Sequence, residues 1–329
     1  MKERIYYLDN AKSILIILMV ICHVFLYTFL FDFVYNFHMM AFFFISGLLF
    51  QHTASMEKPY LSFVKSRIRS MVIPFFFFEL WGVATGILAR GVELNVKGYI
   101  FNTLTLSFNN GAMMWFLFIL FFAELFFVGT HKLFSSKPLH IGLSVLLFLA
   151  SLLIPAEPLY VDFLARFLRA VFFLNAGYYF GKLFCRTNIW AAIGAFLVLL
   201  ALTIFNGRVS ISEVTVKNAA QFCLGSFAGT YLVLSLAKLP FGKWFQIIGQ
   251  NTLAIYCTHF SYYYAFSKLL GEDDLSKISL GNGILVLLLV ALAEIPTVWL
   301  LNRFLPFAVG KRCKSALRLN KSKSSVTSN

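Results

Sequence analysis

The sequence predicts an all-α, polytopic integral membrane protein with about ten transmembrane helices and both termini in the cytoplasm. Its 329 residues are 60% hydrophobic and only 13% charged, which is about half the charged share of a soluble domain. Long apolar stretches recur along the whole chain, and basic residues collect in alternate connections between them. No soluble fold could bury this much apolar surface, so the bilayer must serve as its solvent.

Ten apolar stretches, each bounded by polar residues or by Gly and Pro, give the predicted spans. Most reach the roughly 17–25 residues that a tilted transmembrane helix needs, and only the fifth is short. In order, the spans are 13–31, 33–50, 71–89, 112–130, 139–154, 164–184, 189–205, 218–236, 244–264 and 282–303.

The first stretch resembles a signal peptide, because Lys2, Arg4 and Lys12 precede an apolar run. No cleavage site of small residues follows, and apolar character continues to Phe50 after a brief polar interruption. We therefore expect a retained first membrane helix.

The basic residues orient these spans. Of 28 Lys and Arg residues, 20 fall on the side of the termini if ten helices cross the membrane, which places that side in the cytoplasm. The net charge of +14 thus reports topology and excludes nucleic acid as the partner. The eight on the opposite side are Arg90, Lys97, Arg166, Arg169, Arg208, Lys217, Lys268 and Lys277.

The chain divides into a transmembrane domain, 1–310, and a tail, 311–329. The tail is rich in Lys and Ser and lacks apolar periodicity, so we expect it to be disordered and to lie near anionic lipid headgroups. The five cysteines are scattered, without metal-ligand spacing, and no metal site is predicted.

His23 is the most informative polar residue, since ionisable groups at membrane depth are costly and usually functional. It lies near the middle of the first predicted span, eleven residues after Lys12. Eleven residues make about three helical turns, so the two share one face, roughly 16 Å apart along the axis. Asp9 lies on that face one turn earlier. The sequence predicts a polar stripe that ends at a histidine able to exchange a proton near neutral pH. The structural alternative is a histidine that merely bonds a neighbouring helix.

The second predicted span carries His38, preceded by Asn36. A very short outer turn is expected to join the first two spans as an antiparallel hairpin, which places His38 farther outward than His23. Both residues are candidates for contact with a substrate, although ordinary helix packing uses the same polar groups.

A basic inner connection contains Lys65, Arg67 and Arg69 just before the third span. It serves as a topology signal, but clustered guanidinium groups also suit phosphate recognition. If neighbouring spans pack together, the arginines lie beside the base of the Lys12 stripe.

The remaining ionisable groups have weaker interpretations. The apolar runs contain Glu79, Glu124 and Glu294, which either pair with Arg166 or Arg169 or line a path for protons or ions. The other histidines, expected to be solvated at the membrane surface, are His52, His131 and His140.

Several motifs, in order, resemble the membrane acyltransferase-three family, which includes fucose-4-O-acetylase-like and other surface-glycan O-acetyltransferases. They cover nearly the whole chain, and ten spans is typical of that family. The motifs are Asp9-Asn10-Ala11-Lys12 with His23, Phe37-His38-Met39 leading to Phe43-Phe44-Ile45-Ser46-Gly47, Ile73-Pro74 after the basic stretch, Trp115-Phe116-Leu117, Arg169 with Phe172-Phe173 and Gly177, and Gly249 with Asn251-Thr252-Leu253-Ala254-Ile255-Tyr256 and His259.

The resemblance implies that His23 is the essential histidine and that cytoplasmic arginines bind an acyl-CoA donor. The family separates two such arginines by two residues, whereas only Ile68 stands between Arg67 and Arg69, so Arg67, Arg69 and Lys65 are all candidates. Met40 and Thr252 stand where the family often has Pro and Ser.

The expected function is O-acetylation of a cell-envelope polysaccharide or lipid-linked sugar at the bacterial inner (plasma) membrane. Acetyl-CoA, or another short acyl-CoA, is the expected donor. Its phosphates are expected to be held by Lys12, Arg67 and Arg69, at the cytoplasmic end of the polar stripe where Asp9 lies. On the acceptor side we expect the residues His38, Asn36, Arg169 and His259. A transporter or flippase that uses the buried glutamates is the alternative, and a non-catalytic scaffold is a third possibility.

Overall fold

The computed structural model describes residues 5–26, 28–90, 97–98, 114–155, 159–272 and 278–311. All the regular secondary structure within these ranges is helical. A π-helical segment, Ile68–Val72, joins α4 to α5, and a 3-10 turn, Pro306–Val309, follows the last helix. The α-helices are α1 (Tyr6–Val24), α2 (Phe29–Tyr35), α3 (His38–His52), α4 (Tyr60–Arg67), α5 (Ile73–Arg90), α6 (Trp115–Leu133), α7 (Lys137–Ser151), α8 (Leu159–Phe184), α9 (Ile189–Asn206), α10 (Ala219–Leu236), α11 (Lys243–Gln250), α12 (Thr252–Leu269) and α13 (Leu280–Phe304).

Seven helical stretches in the described ranges are long and apolar enough to cross a membrane. The prediction of an all-α, multi-pass membrane protein is therefore confirmed. The other three predicted spans correspond to α7, which is short, and to α8 and α12, which carry more polar side chains. The count of ten stays a prediction. The predicted tail, 311–329, lies outside the described residues from 312 onward.

The first two predicted spans begin and end at other residues than expected. Instead of spans 13–31 and 33–50 with a turn between them, α1 ends at Val24 and the next stretch divides into α2 and α3. The Thr28 hydroxyl accepts the backbone N–H of Phe31 at 3.2 Å and so begins α2 in a sequence that stays apolar. His23 therefore lies in the last turn of α1 rather than at mid-span, and His38 begins α3.

Helices α3 and α8 approach each other closely, and at this contact two glycines meet the opposing backbone. A Cβ on Gly47 would lie 1.9 Å from the oxygen of Leu174, and a Cβ on Gly177 would lie 1.9 Å from the oxygen of Phe44. Small residues are what allow membrane helices to approach this closely. This reciprocal contact fixes α3, and with it His38, against α8.

The first and last described helices meet the same end of the bundle. The Gln250 side chain at the end of α11 donates to the Asp9 carboxylate at 3.4 Å. The next residue, Asn251, accepts from Lys311 at 2.9 Å. Both described ends of the chain thus lie close to the end of α11.

Candidate active site

Two histidines from α1 and α12 form a hydrogen-bonded pair. Nε2 of the buried His259 lies 3.2 Å from Nδ1 of the half-buried His23, while Nδ1 of His259 lies 2.9 Å from the backbone oxygen of Ile255. A carbonyl oxygen only accepts, so Nδ1 of His259 donates to it and its Nε2 accepts the Nδ1–H of His23. The lone pair on Nε2 of His23 is then free of this pairing, as a general base requires.

The pair borders a cavity of about 200 Å³, which we call the histidine cavity. It combines imidazole, aromatic and hydroxyl groups with one arginine. His38, predicted to lie farther outward than His23, is part of its wall. The lining residues are Met19, His23, Tyr35, His38, Met39, Trp115, Arg166, Ser210, Ile211, Ser212, Tyr256, His259 and Phe260.

One wall of the histidine cavity presents an arginine above an indole ring. The Arg166 guanidinium pairs with Asp162 one helical turn earlier on α8 and lies 4.6 Å from the centroid of the Trp115 ring. An ion pair offers both hydrogen-bond donors and acceptors, and an aromatic face packs against apolar surface. This wall therefore suits a polar ligand that has an apolar face.

Another wall is formed by the connection after α9, which two predicted substrate residues hold in place. Arg169 is almost fully buried and donates to the backbone oxygens of Ile211 and, at 2.8 Å, of Val214. Asn36 accepts the backbone N–H of Val209 at 2.9 Å. Neither side chain lines the histidine cavity. Asn36 contacts the backbone at 207–209 and Arg169 contacts it at 211–214. Together they hold the segment that presents Ser210 and Ser212 to the cavity.

A second cavity of about 230 Å³, which we call the basic cavity, lies nearer the start of α1. It exposes two of the three predicted cations, Lys12 and Arg67, together with several hydroxyl and apolar groups. Its lining residues are Lys12, Ile16, Met19, Met39, Phe42, Ser46, Arg67, Ser70, Met71, Phe116, Leu117, Leu120, Thr252, Leu253 and Tyr256.

Acidic partners orient both cations of the basic cavity. Lys12 Nζ lies 2.8 Å from the Asp9 carboxylate, which confirms that these two residues share a face. Arg67 Nε lies 2.7 Å from the buried carboxylate of Glu124, and its guanidinium stacks 4.9 Å from the centroid of the Phe63 ring. Arg69 is exposed and does not line either cavity. The structure therefore separates two arginines that the sequence left equivalent.

The two cavities meet at three side chains. Within the part of the chain that the structure describes, Met19, Met39 and Tyr256 are the residues common to both linings. Sequence reasoning assigned none of them a role. Tyr256 comes three residues before His259, a spacing that places both on one face of a helix and was the available signal.

Several expectations for the other ionisable groups were wrong. Glu124 pairs with Arg67 rather than with Arg166 or Arg169, because α6 packs beside the π segment that follows Arg67. His140 is buried rather than solvated, and its ring stacks on that of the partly buried His131 with centroids 3.7 Å apart. The α6–α7 hairpin brings these rings together against Tyr179, whose hydroxyl lies 2.8 Å from His131.

The other two glutamates lie on either side of α12. Glu294 accepts a hydrogen bond from Thr258 at 2.7 Å, while Glu79 has no hydrogen-bond partner among the described residues. Neither lines the two cavities. No group of three or more His, Cys, Asp or Glu side chains in the described ranges is arranged to hold a metal ion.

Comparison with known proteins supplies the family. A family model described as an acyltransferase domain, of the acyltransferase-3 type, matches residues 5–303, which is nearly the whole chain. No curated protein and no solved structure matched this chain. The histidine pair, the two cavities and the helices that build them all fall inside the matched range, and the chain belongs to the acyltransferase-3 family of membrane acyltransferases.

Proposed function

We propose that this protein transfers an acetyl or similar short acyl group from cytoplasmic acyl-CoA to a hydroxyl of a cell-surface or lipid-linked glycan. The observation that carries the proposal is the His23–His259 pair, which leaves a basic nitrogen beside the junction of a cation-lined cavity and a second polar cavity. Family membership supplies acyl transfer, and these two cavities supply separate places for donor and acceptor.

The donor side is assigned from charge and topology. The excess of basic residues near the described ends of the chain favours a cytoplasmic location for that end, in the bacterial inner membrane. The basic cavity lies at this end of α1. Lys12 and Arg67, held by Asp9 and Glu124, are oriented cations suited to the phosphates of coenzyme A.

The reacting end of the donor must then reach His23. Lys12 and His23 are eleven residues apart on α1, or roughly 16 Å at the helical rise. A thin pantetheine arm that runs along α1 from the basic cavity places its thioester beside the histidine cavity.

The acceptor side is assigned to the histidine cavity. The Arg166–Asp162 pair and the hydroxyls of Ser210 and Ser212 suit the hydroxyl groups of a sugar, and the Trp115 ring suits its C–H face. Asn36 and Arg169 act indirectly, because they hold the backbone of that wall.

The transfer itself needs one base and one leaving group. Nε2 of His23 takes the proton of the sugar hydroxyl as its oxygen attacks the thioester carbonyl carbon. The tetrahedral intermediate collapses, the carbon–sulfur bond breaks, and the thiolate of coenzyme A takes the proton from His23. The products are the glycan ester and coenzyme A. In a second version His23 is first acylated and then passes the group to the hydroxyl, which also releases coenzyme A.

The test is acyl transfer in membranes that contain the wild type or the His23→Ala variant. Radiolabelled acetyl-CoA is added with lipid-linked glycans, and release of the free thiol is followed together with label in extracted glycan. The wild type is expected to release thiol and label glycan, whereas His23→Ala does neither. His52→Ala is the matched control, since His52 lines neither cavity. Wild-type protein that leaves acetyl-CoA intact would overturn the proposal and favour a transporter.

A further inference from the structure

The junction between the two cavities is built from two thioethers and a phenol ring. Met19 lies on α1 one turn before His23, Met39 follows His38 on α3, and Tyr256 lies on α12 one turn before His259. His23 lines the histidine cavity, while Lys12 and Arg67 line the basic cavity. We take the path of a donor whose phosphates bind these cations and whose thioester reaches His23 to run past the three junction residues, because they line both cavities.

The chemistry of this junction makes it selective. Methionine side chains are apolar and flexible, so they yield to a thin chain and close around it. A branched, long or charged acyl group needs more room, or has to shed water among groups that cannot replace its hydrogen bonds. Apolar pockets typically discriminate by about 10–200-fold for one methylene group.

We propose that Met19 and Met39 determine the acyl group that this protein transfers. The acyl end of the donor passes between the two thioethers before it reaches His23, and their bulk favours acetyl over longer acyl groups. This inference rests on the proposed function. It assigns specificity to side chains that the acyl group passes on its way to His23, and not to the acceptor wall.

The test is a competition between donors within one sample. Membranes with wild type, Met19→Ala or Met39→Ala receive equimolar acetyl-CoA and butyryl-CoA, and the ratio of butyryl to acetyl ester in the glycan is measured. Removing a thioether side chain is expected to raise that ratio about tenfold in each variant. Because both products come from the same protein, a loss of folded protein cancels from the ratio.

Met40→Ala is the matched control. Met40 is the next residue after Met39 and is buried in the core, but it lines neither cavity, so its ratio is expected to remain that of the wild type. If the alanine variants do not assemble, Met19→Val and Met39→Val remove less volume and test the same point. The variant Met39→Phe narrows the junction and is expected to lower the ratio.

The outcomes separate the two proposals. Unchanged ratios in the Met19 and Met39 variants, or an equal rise in Met40→Ala, overturn the assignment of specificity while acyl transfer itself stands. A wild type that esterifies the glycan with neither acyl group overturns the proposed function, and the specificity assignment falls with it.

Discussion

Nε2 of His259 accepts a hydrogen bond from Nδ1 of His23 over 3.2 Å, and the Ile255 carbonyl fixes which nitrogen of His259 can do so. The carbonyl holds the proton of His259 on Nδ1. That arrangement in turn keeps the proton of His23 on its own Nδ1 and leaves Nε2 as the base. One backbone oxygen on α12 thereby sets the protonation pattern of a side chain on α1.

Substitution of His259 tests whether its hydrogen bond keeps Nε2 of His23 available as the base. His259→Phe removes the acceptor and is expected to lower kcat on the order of 10²-fold, with the KM for acyl-CoA unchanged. His259→Gln retains an acceptor oxygen and should keep more of the activity. His52→Gln serves as the control. Steady-state kinetics with purified protein gives both constants, and a wild-type kcat in His259→Phe would remove His259 from the mechanism.

Arg67 and Arg69 are expected to differ in donor binding. Arg67→Ala removes a cation that lines the basic cavity and should raise the KM for acyl-CoA by about tenfold to hundredfold, as loss of a charged hydrogen bond does. Arg69→Ala removes an exposed charge and should leave the KM unchanged. Glu124→Gln should resemble Arg67→Ala in direction, because Glu124 orients the guanidinium. The reverse order of the two arginine variants would contradict the site.

The glycine contact between α3 and α8 predicts a large loss of stability. Gly47→Ala and Gly177→Ala each force a methyl group into the opposing backbone, and each should cost at least about 1–3 kcal/mol. In contrast, Gly194→Ala on α9 meets no described atom within 4 Å and should be close to neutral. Thermal unfolding in detergent measures the difference, and equal unfolding temperatures for all three variants would contradict the close approach.

Arg169 is expected to act on stability and on acceptor binding together. Arg169→Met leaves the buried carbonyls of Ile211 and Val214 without their donor, at about 1–3 kcal/mol for each. The unfolding temperature should fall and the KM for the glycan should rise, since the wall that carries Ser210 and Ser212 loses its anchor. The exposed Arg303 gives the control variant Arg303→Met, which should change neither quantity. A stable variant with an altered acceptor KM would indicate direct contact instead.

The sequence predicted those features of the structure that depend on composition and on the spacing of residues along one helix. The membrane class followed from composition, and the proximity of Asp9 to Lys12 followed from their three-residue separation. The role of His23 stays a prediction, although its place beside a polar cavity agrees with the expected stripe. These features need no knowledge of how distant helices pack.

What the sequence could not supply depends on contacts between distant segments. The roles of Arg169 and Asn36 are decided by carbonyls and amides far along the chain, in a connection without a recognisable motif. The break after Val24 occurs within apolar sequence, where hydropathy gives no signal. Arg67 and Arg69 lie on different faces because they are two residues apart on a helical stretch, and packing against α6 decides that Arg67 is the one that meets Glu124.

The junction of Met19, Met39 and Tyr256 has a consequence for the membrane itself. Two polar cavities stacked along one transmembrane helix would form a continuous column of water if they merged. A constriction of apolar side chains excludes water and therefore stops ions. The proposed donor and acceptor sites can therefore lie at different depths along α1 without an ion-conducting path between them.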